Sequence, residues 1–240
     1  MKATKIIALL IMAVSVTACH FDFNIGQVDG NGNVTTEERS VSSEFDEVKG
    51  NAGVDVYLTE GDEYKIVVEA DENLVPLIET NISDGRLNIR TTENIGRSKA
   101  KKVHVTYKKL TGIYATSGAD VISNSVIKSE VLNLESNSGA DLELDINAKE
   151  VYAETSSGAD MKLSGRAQRL TASASSGSDL KARDLEVKYC KANASSGADV
   201  TVNVLEEIEG KASSGGDVRY YGDPTAVSVK DGPSGSVRKM

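Results

Sequence analysis

Through most of the second half of this chain, apolar and polar residues alternate one by one. Around Gly158 the odd offsets carry Val151, Ala153, Ala159 and Met161, and the even offsets carry Glu154 and Lys162. The same parity holds around Gly139, where Leu132, Leu134, Ala140 and Leu142 oppose Glu135 and Glu143. It holds again around Gly197, where Cys190, Ala192, Ala198 and Val200 oppose Asn193 and Thr201. A period of two marks a β-strand with one buried face. An amphipathic helix needs apolar residues three and four apart, and this pattern does not supply them.

The alternation repeats on a longer scale. SGAD stands at 117–120, 138–141, 157–160 and 196–199, SGSD at 176–179, SGGD at 214–217, and a degenerate SGS at 234–236. The motif glycines, from Gly118 to Gly235, are 18 to 21 residues apart. A near-constant repeat with small jitter describes a solenoid whose coils share one corner and differ in loop length. The expected fold class is all-β: a parallel β-helix of about 20 residues per coil, its coils ~4.8 Å apart with like residues stacked. In that arrangement the Ser and Ala of the tetrapeptide face a narrow interior, the Gly keeps the wall low or the bend open, and the Asp faces out.

Residues 39–110 are less regular and still strand-rich. Val54, Val56 and Leu58 alternate, Glu60-Gly61-Asp62 forms a turn, and a second apolar run covers residues 64–68. Asp71-Glu72-Asn73 ahead of Leu74, Leu77 and Ile78 predicts a short capped helix, with Pro76 in its first turn. Asp84-Gly85 predicts a turn before Leu87 and Ile89. An open β-helix end exposes unpaired strand edges, so this segment is expected to cap the stack. Together with 111–240 it makes one domain. Residues 19–38, with a Gly/Asn run at 29–33, read as a linker.

The first 18 residues change the picture. Lys2 and Lys5 precede an apolar stretch at 6–14 that is too short to span a bilayer, and Val16-Thr17-Ala18-Cys19 follows. That ending resembles the bacterial lipobox, which implies a signal peptide at 1–18 and lipidation of Cys19. His20 follows the cysteine where inner-membrane retention would want Asp, so the expectation is an exported outer-membrane lipoprotein held by its acyl chains. Loss of Lys2 and Lys5 takes the formal charge from −9 to −11, which argues against nucleic acid as a partner. With Cys19 lipidated, Cys190 has no intramolecular mate. The low aromatic content and the absence of Trp suit a core built in thin layers.

A wider resemblance rests on ordered motifs. Phe45-Asp46-Glu47-Val48 with Gly50 comes first, then Val54-Asp55-Val56-Tyr57-Leu58 and Glu69-Ala70-Asp71-Glu72-Asn73-Leu74. Asp84-Gly85-Arg86-Leu87-Asn88-Ile89 follows, and then the serial Ser-Gly-Ala-Asp. Over about residues 39–235 the chain resembles lipoproteins of the auto-transporter adhesin, head GIN domain family. The resemblance implies a right-handed β-helix and a bacterial envelope location. It carries over no catalytic residues.

The residues with candidate chemistry lie on this scaffold. Asp120, Asp141, Asp160, Asp179, Asp199 and Asp217 form an outward ladder, and neighbouring rungs repel by roughly 1 kcal/mol in water. Corner hydrogen bonds from nearby Ser and amide groups are the expected compensation. The alternative is a divalent cation such as calcium held between rungs. No other cofactor is expected and no metal site is assigned. Next to the ladder, Thr116, Asn137, Ser156, Ser175, Ser195 and Ser213 extend a flat hydroxyl-rich strip suited to an extended glycan or another envelope polymer. Tyr114, Tyr152 and Tyr221 are the candidates for stacking on sugar rings. The basic run of Arg97, Lys99, Lys101, Lys102, Lys108 and Lys109 is expected to be a solubilising surface, with an anionic polymer as the sharper alternative.

An enzyme would need two carboxylates, or a carboxylate with Arg or Lys, in one cleft. Arg166, Arg169 and Arg183 are isolated and read as a solvated face, His104 alternates outward between Val103 and Val105, and Cys190 sits in an inward column. The expected function is therefore non-catalytic: an adhesin or glycan binder. The alternatives are a polysaccharide lyase or hydrolase, by fold analogy alone, and a structural envelope spacer.

Overall fold

The computed structural model describes residues 26–240, so the leader, Cys19 and His20 lie outside the described residues. It is a parallel β-solenoid of about seven turns with coils of about 19 residues. Its long strands are Asp141–Ser156, Asp160–Ala174, Asp179–Ser195 and Asp199–Ser213. They stack in parallel with like residues in register: Asp120 on Asp141, Asp160, Asp179, Asp199 and Asp217 in turn.

Two alternating runs build each coil. In the coil of Asp141–Ser156, Leu142, Leu144, Ile146 and Ala148 point inward, and two consecutive outward residues, Lys149 and Glu150, make a bend. Val151, Ala153 and Thr155 then point inward up to the Ser-Gly corner. The inward column Val121, Leu142, Met161, Leu180, Val200 and Val218 is sealed from water along its length. Repeat jitter is absorbed away from the Ser-Gly corner, as register slips between Lys162 and Ser164, Ala182 and Glu186, and Val187 and Tyr189. The corner therefore stays in register while loop length varies.

The stack continues into the N-terminal segment out of sequence order. Asp55–Glu60 lies parallel to Asp120–Ser123, and Lys101–Tyr107 lies parallel to Asp55–Glu60. Lys65–Asp71 and then Val34–Arg39 add antiparallel to that edge. On the other flank Glu47–Gly50 and Arg86–Thr91 continue the parallel stack, and Ile78–Ser83 closes it antiparallel. The outermost strands read VTTEER and IETNIS, and such polar edges discourage further pairing. Many of the largest buried side chains gather here, among them Phe45, Leu58, Ile66, Leu74, Ile78 and Tyr107, so the cap carries the conventional core that the repeats lack.

Two expectations need correction. The stretch read as a linker is folded from Gln27 onward: Gln27–Val28 pairs with Asn94–Ile95, and Val34–Arg39 is an edge strand of the cap. The expected helix shrinks to one 3-10 turn, Val75–Leu77. Asp71 is not its N-cap, because it ends the strand Lys65–Asp71 and turns its carboxylate inward. That carboxylate accepts hydrogen bonds from the amides of Gly32 (2.9 Å), Lys99 (3.1 Å) and Ala100 (3.1 Å). Desolvation works against its charge, yet the three amide donors outweigh it and hold the pKa below the usual carboxylate value.

Candidate functional site

The repeated tetrapeptide is a turn. Ser157 has φ +56° and Gly158 φ +71°, and the same pair of positive angles recurs at each repeat from Ser117-Gly118 to Ser214-Gly215. Two successive residues with positive φ are the mark of a type I′ turn. The Ala159 amide closes it on the Ser156 carbonyl at 3.3 Å, and the Gly158 amide donates to the Ser176 carbonyl of the next coil at 3.2 Å. The corner is thus stitched coil to coil through its backbone.

This geometry reassigns the motif residues. The alanine faces in, as expected, whereas the motif serine is exposed. A Cβ on Gly158 would meet nothing within 4 Å, so glycine is required there for its φ alone. We expect Gly158→Ala to cost about 1–2 kcal/mol, the left-handed penalty of an L-residue. Gly216→Ala should cost more, because its Cβ would press on the Ala194 carbonyl carbon at 2.6 Å. Urea midpoints of the two variants check the order.

The aspartates do face outward, half-buried or exposed. Basic residues two positions beyond a rung staple four rungs in neighbouring pairs, and on Asp217 an expected serine bond stands beside the staple. Lys181 Nζ lies 3.1 Å from Asp160 and 3.2 Å from Asp179. Arg219 reaches Asp199 at 2.9 Å and Asp217 at 3.2 Å, and the Ser236 hydroxyl donates to Asp217 at 2.6 Å. The Ser236 bond leads the causes that lower the Asp217 pKa.

At the cap end the ladder gains a seventh rung, Asp55, stacked on Asp120. Burial, with Asp141 and Asp55 on either side, raises the Asp120 carboxyl, while Lys101 opposes the rise. Rungs one coil apart form a line and do not converge on a point. Among the described residues no three His, Cys, Asp or Glu side chains gather as a hard cation would require.

The three tyrosines part company. Arg86 lies over the Tyr114 ring at 4.4 Å, and Arg183 lies over Tyr221 at 4.4 Å. Tyr152 is 46% exposed, and no cation covers its face among the described residues. Its hydroxyl donates to Glu150 at 3.2 Å. Tyr152 and Tyr114 line one shallow depression of about 340 Å³ with Asn133, Glu135, Thr171 and Ser173. Its outer columns lead directly to the Ser-Gly corner.

Other candidates settle as structure. Arg169 stacks on Tyr189 at 4.7 Å, so Arg169 and Arg183 are aromatic-packed where a plain solvated face was expected. His104 points outward, 2.9 Å from Glu69 and stacked on Tyr57. Cys190 is buried, and desolvation pushes its thiol up to about 12, which removes thiolate character.

Residues 44–224 match the family described as "Putative auto-transporter adhesin, head GIN domain". The chain belongs to this family. Among solved structures, a "putative adhesin" from Bacteroides fragilis aligns at 20% identity over 89% of this chain and 100% of that one, with a TM-score of 0.82. A second "putative adhesin", from Parabacteroides merdae, aligns at 20% identity over 90% and 99%, with a TM-score of 0.69. A "putative lipid binding protein" from Parabacteroides distasonis aligns at 19% identity over 89% and 99%, also at 0.69. At these identities the likeness establishes the shared fold. No curated protein matches the chain.

In this head GIN chain, repeat reading missed the first corner. Asn51-Ala52-Gly53-Val54 has the same two positive angles at Ala52 and Gly53, and the Gly53 amide donates to the Ser117 carbonyl. A search tolerant of any residue before the glycine finds it, since Val54, Asp55 and Val56 keep the offsets of Ala119, Asp120 and Val121. The expected basic run is dispersed. Arg97 pairs with Asp29, Lys102 lies over Tyr57 and Lys108 over Tyr64, and of the six only Lys101 and Lys102 belong to the strand Lys101–Tyr107.

Proposed function

We propose that this protein is a non-catalytic adhesin of the cell envelope, anchored as an outer-membrane lipoprotein through Cys19, that holds an extended glycan along one flank of its solenoid. The single observation that carries this reading is the uncovered Tyr152 ring. It stands in a polar depression whose outer columns run into the Ser/Gly/Asp corner. An aromatic face beside amide, hydroxyl and carboxylate groups suits a sugar, which has an apolar ring face and polar edges. Repetition of these columns at ~4.8 Å extends the surface along the axis, as a polymer ligand requires. The adhesin description of the family supports the same direction.

A glycan array probed with the protein tests the reading. Binding to an extended glycan is expected, and Tyr152→Ala should weaken it about fivefold, the equivalent of a stacking contact of about 1 kcal/mol. Silence across neutral glycans, or full binding of a neutral glycan by the Tyr152→Ala variant, would overturn it. Release of shortened products would instead select the polysaccharide-cleaving enzyme.

A further inference from the structure

The bend opposite the Ser-Gly corner carries a second surface of different chemistry. Its floor is a row of small residues in register, Ser129, Ala148 and Ala167, with Val187 beyond them. One position before that row stand Lys128, Asn147, Arg166 and Glu186, also in register. One position after it stand Glu130, Lys149, Gln168 and Lys188. Each of four successive coils therefore contributes one cation, and the cations switch sides of the floor from coil to coil. Because alanine keeps the floor low, the two rows enclose a groove of about 630 Å³. Lys109 from the cap and Leu205 from a later coil complete its lining.

The charge of this groove runs against that of the chain. Five of its lining residues are basic and two, Glu130 and Glu186, are acidic, in a protein of formal charge −9. Lys128 and Lys188 rest on Glu60 and Glu206 at 2.8 and 3.0 Å, and Lys149 rests on Glu130. All three pairs are largely exposed, and such pairs are worth only about 0–1 kcal/mol each, so a ligand anion can replace them at small cost. Arg166 and Lys109 have no carboxylate within 4.0 Å among the described residues. Arg166 in particular offers its guanidinium fork unengaged, the geometry that carboxylates accept best.

We infer that this groove binds an extended anionic polysaccharide, its acidic groups spaced to meet one cation per coil. The ~4.8 Å coil rise is close to the advance of one sugar residue in an extended chain. Alternate anions of a polyuronate then meet cations on alternate walls. The surface is separate from the Tyr152 depression and takes a ligand class that depression does not select.

The probe is polygalacturonate, compared with neutral dextran and with inorganic polyphosphate, at low and raised salt. The full-length protein should bind polygalacturonate in a salt-sensitive way and ignore dextran. Arg166→Gln combined with Lys109→Gln should weaken binding at least tenfold, and Arg166→Lys should recover part of it. Removing a repelling carboxylate by Glu186→Gln should tighten binding about twofold, an effect no folding defect can mimic. Tyr152→Ala should leave polygalacturonate binding unchanged, which separates this site from the proposed glycan flank. Three results would each overturn the inference: no polygalacturonate binding, equal binding by the Arg166/Lys109 double variant, or binding of polyphosphate alone.

Discussion

Leu142→Ala should lower the stability of the solenoid by about 3 kcal/mol, within the 2–5 kcal/mol usual for a buried leucine truncated in place. Leu142 is 1% exposed and stacks between Val121 and Met161 in the longest apolar column. The walls cannot collapse into the cavity, because backbone hydrogen bonds to the coils above and below hold their spacing. In a solenoid each coil contacts mainly its neighbours, so a weakened interface should also split the unfolding transition into two. Urea denaturation followed by circular dichroism reads both effects. Leu205→Ala is the control: Leu205 is 41% exposed and should change stability by less than about 0.5 kcal/mol. A single unshifted transition for Leu142→Ala would contradict this account of the stack.

The second large effect is expected at Asp71. Its carboxylate ties the segment around Gly32 to the loop at Lys99 and Ala100, and Asn73 adds a bond to the Asp29 carbonyl at 2.9 Å. Asp71→Ala leaves three amides without their acceptor and should release the edge strand Val34–Arg39 from the cap. Hydrogen exchange reads this as loss of protection at residues 34–39, with the repeats from 120 onward unaffected. The pH dependence has a definite sign. Because the folded-state pKa is depressed, the stabilisation is complete above the unfolded-state value and is lost as pH falls through the folded one. Protection of 34–39 should therefore fade at acid pH in the native chain and be absent already at neutral pH in Asp71→Ala. Persistent protection in the variant would show that strand pairing with Lys65–Asp71 suffices by itself.

The two candidate surfaces differ in how far they could be read from residues alone. Tyr152 and the aspartate ladder follow from parity, since an even offset on a one-faced strand points outward. Parity says nothing about what covers an outward side chain. Tyr114 and Tyr152 look equivalent in sequence, yet Arg86 arrives over Tyr114 from a cap strand 28 residues earlier. The staples by Lys181 and Arg219 were likewise hidden, because Lys162 holds the same offset and reaches instead to Glu143 at 2.7 Å. The basic groove was legible only in fragments: Lys109 and Arg166 were singled out separately, and nothing joined them. Its floor residues Ser129, Ala148, Ala167 and Val187 keep one offset from the glycine that follows, but the cations alternate between the two flanking offsets, so no single column turns basic.

What the sequence determined by itself was the coil. Two interactions set it, alternation along the strand and the positive-φ Ser-Gly turn, and both are local, so their repetition is visible residue by residue. The N-terminal cap was decided only in three dimensions. There Asp55 stacks on a strand 65 residues later, and an expected linker becomes an edge strand. No local preference distinguishes a parallel neighbour from an antiparallel one, or a free Gly/Asn segment from one pinned by a buried carboxylate. Those choices rest on contacts between segments far apart in the chain, and they exist only once the stack has formed.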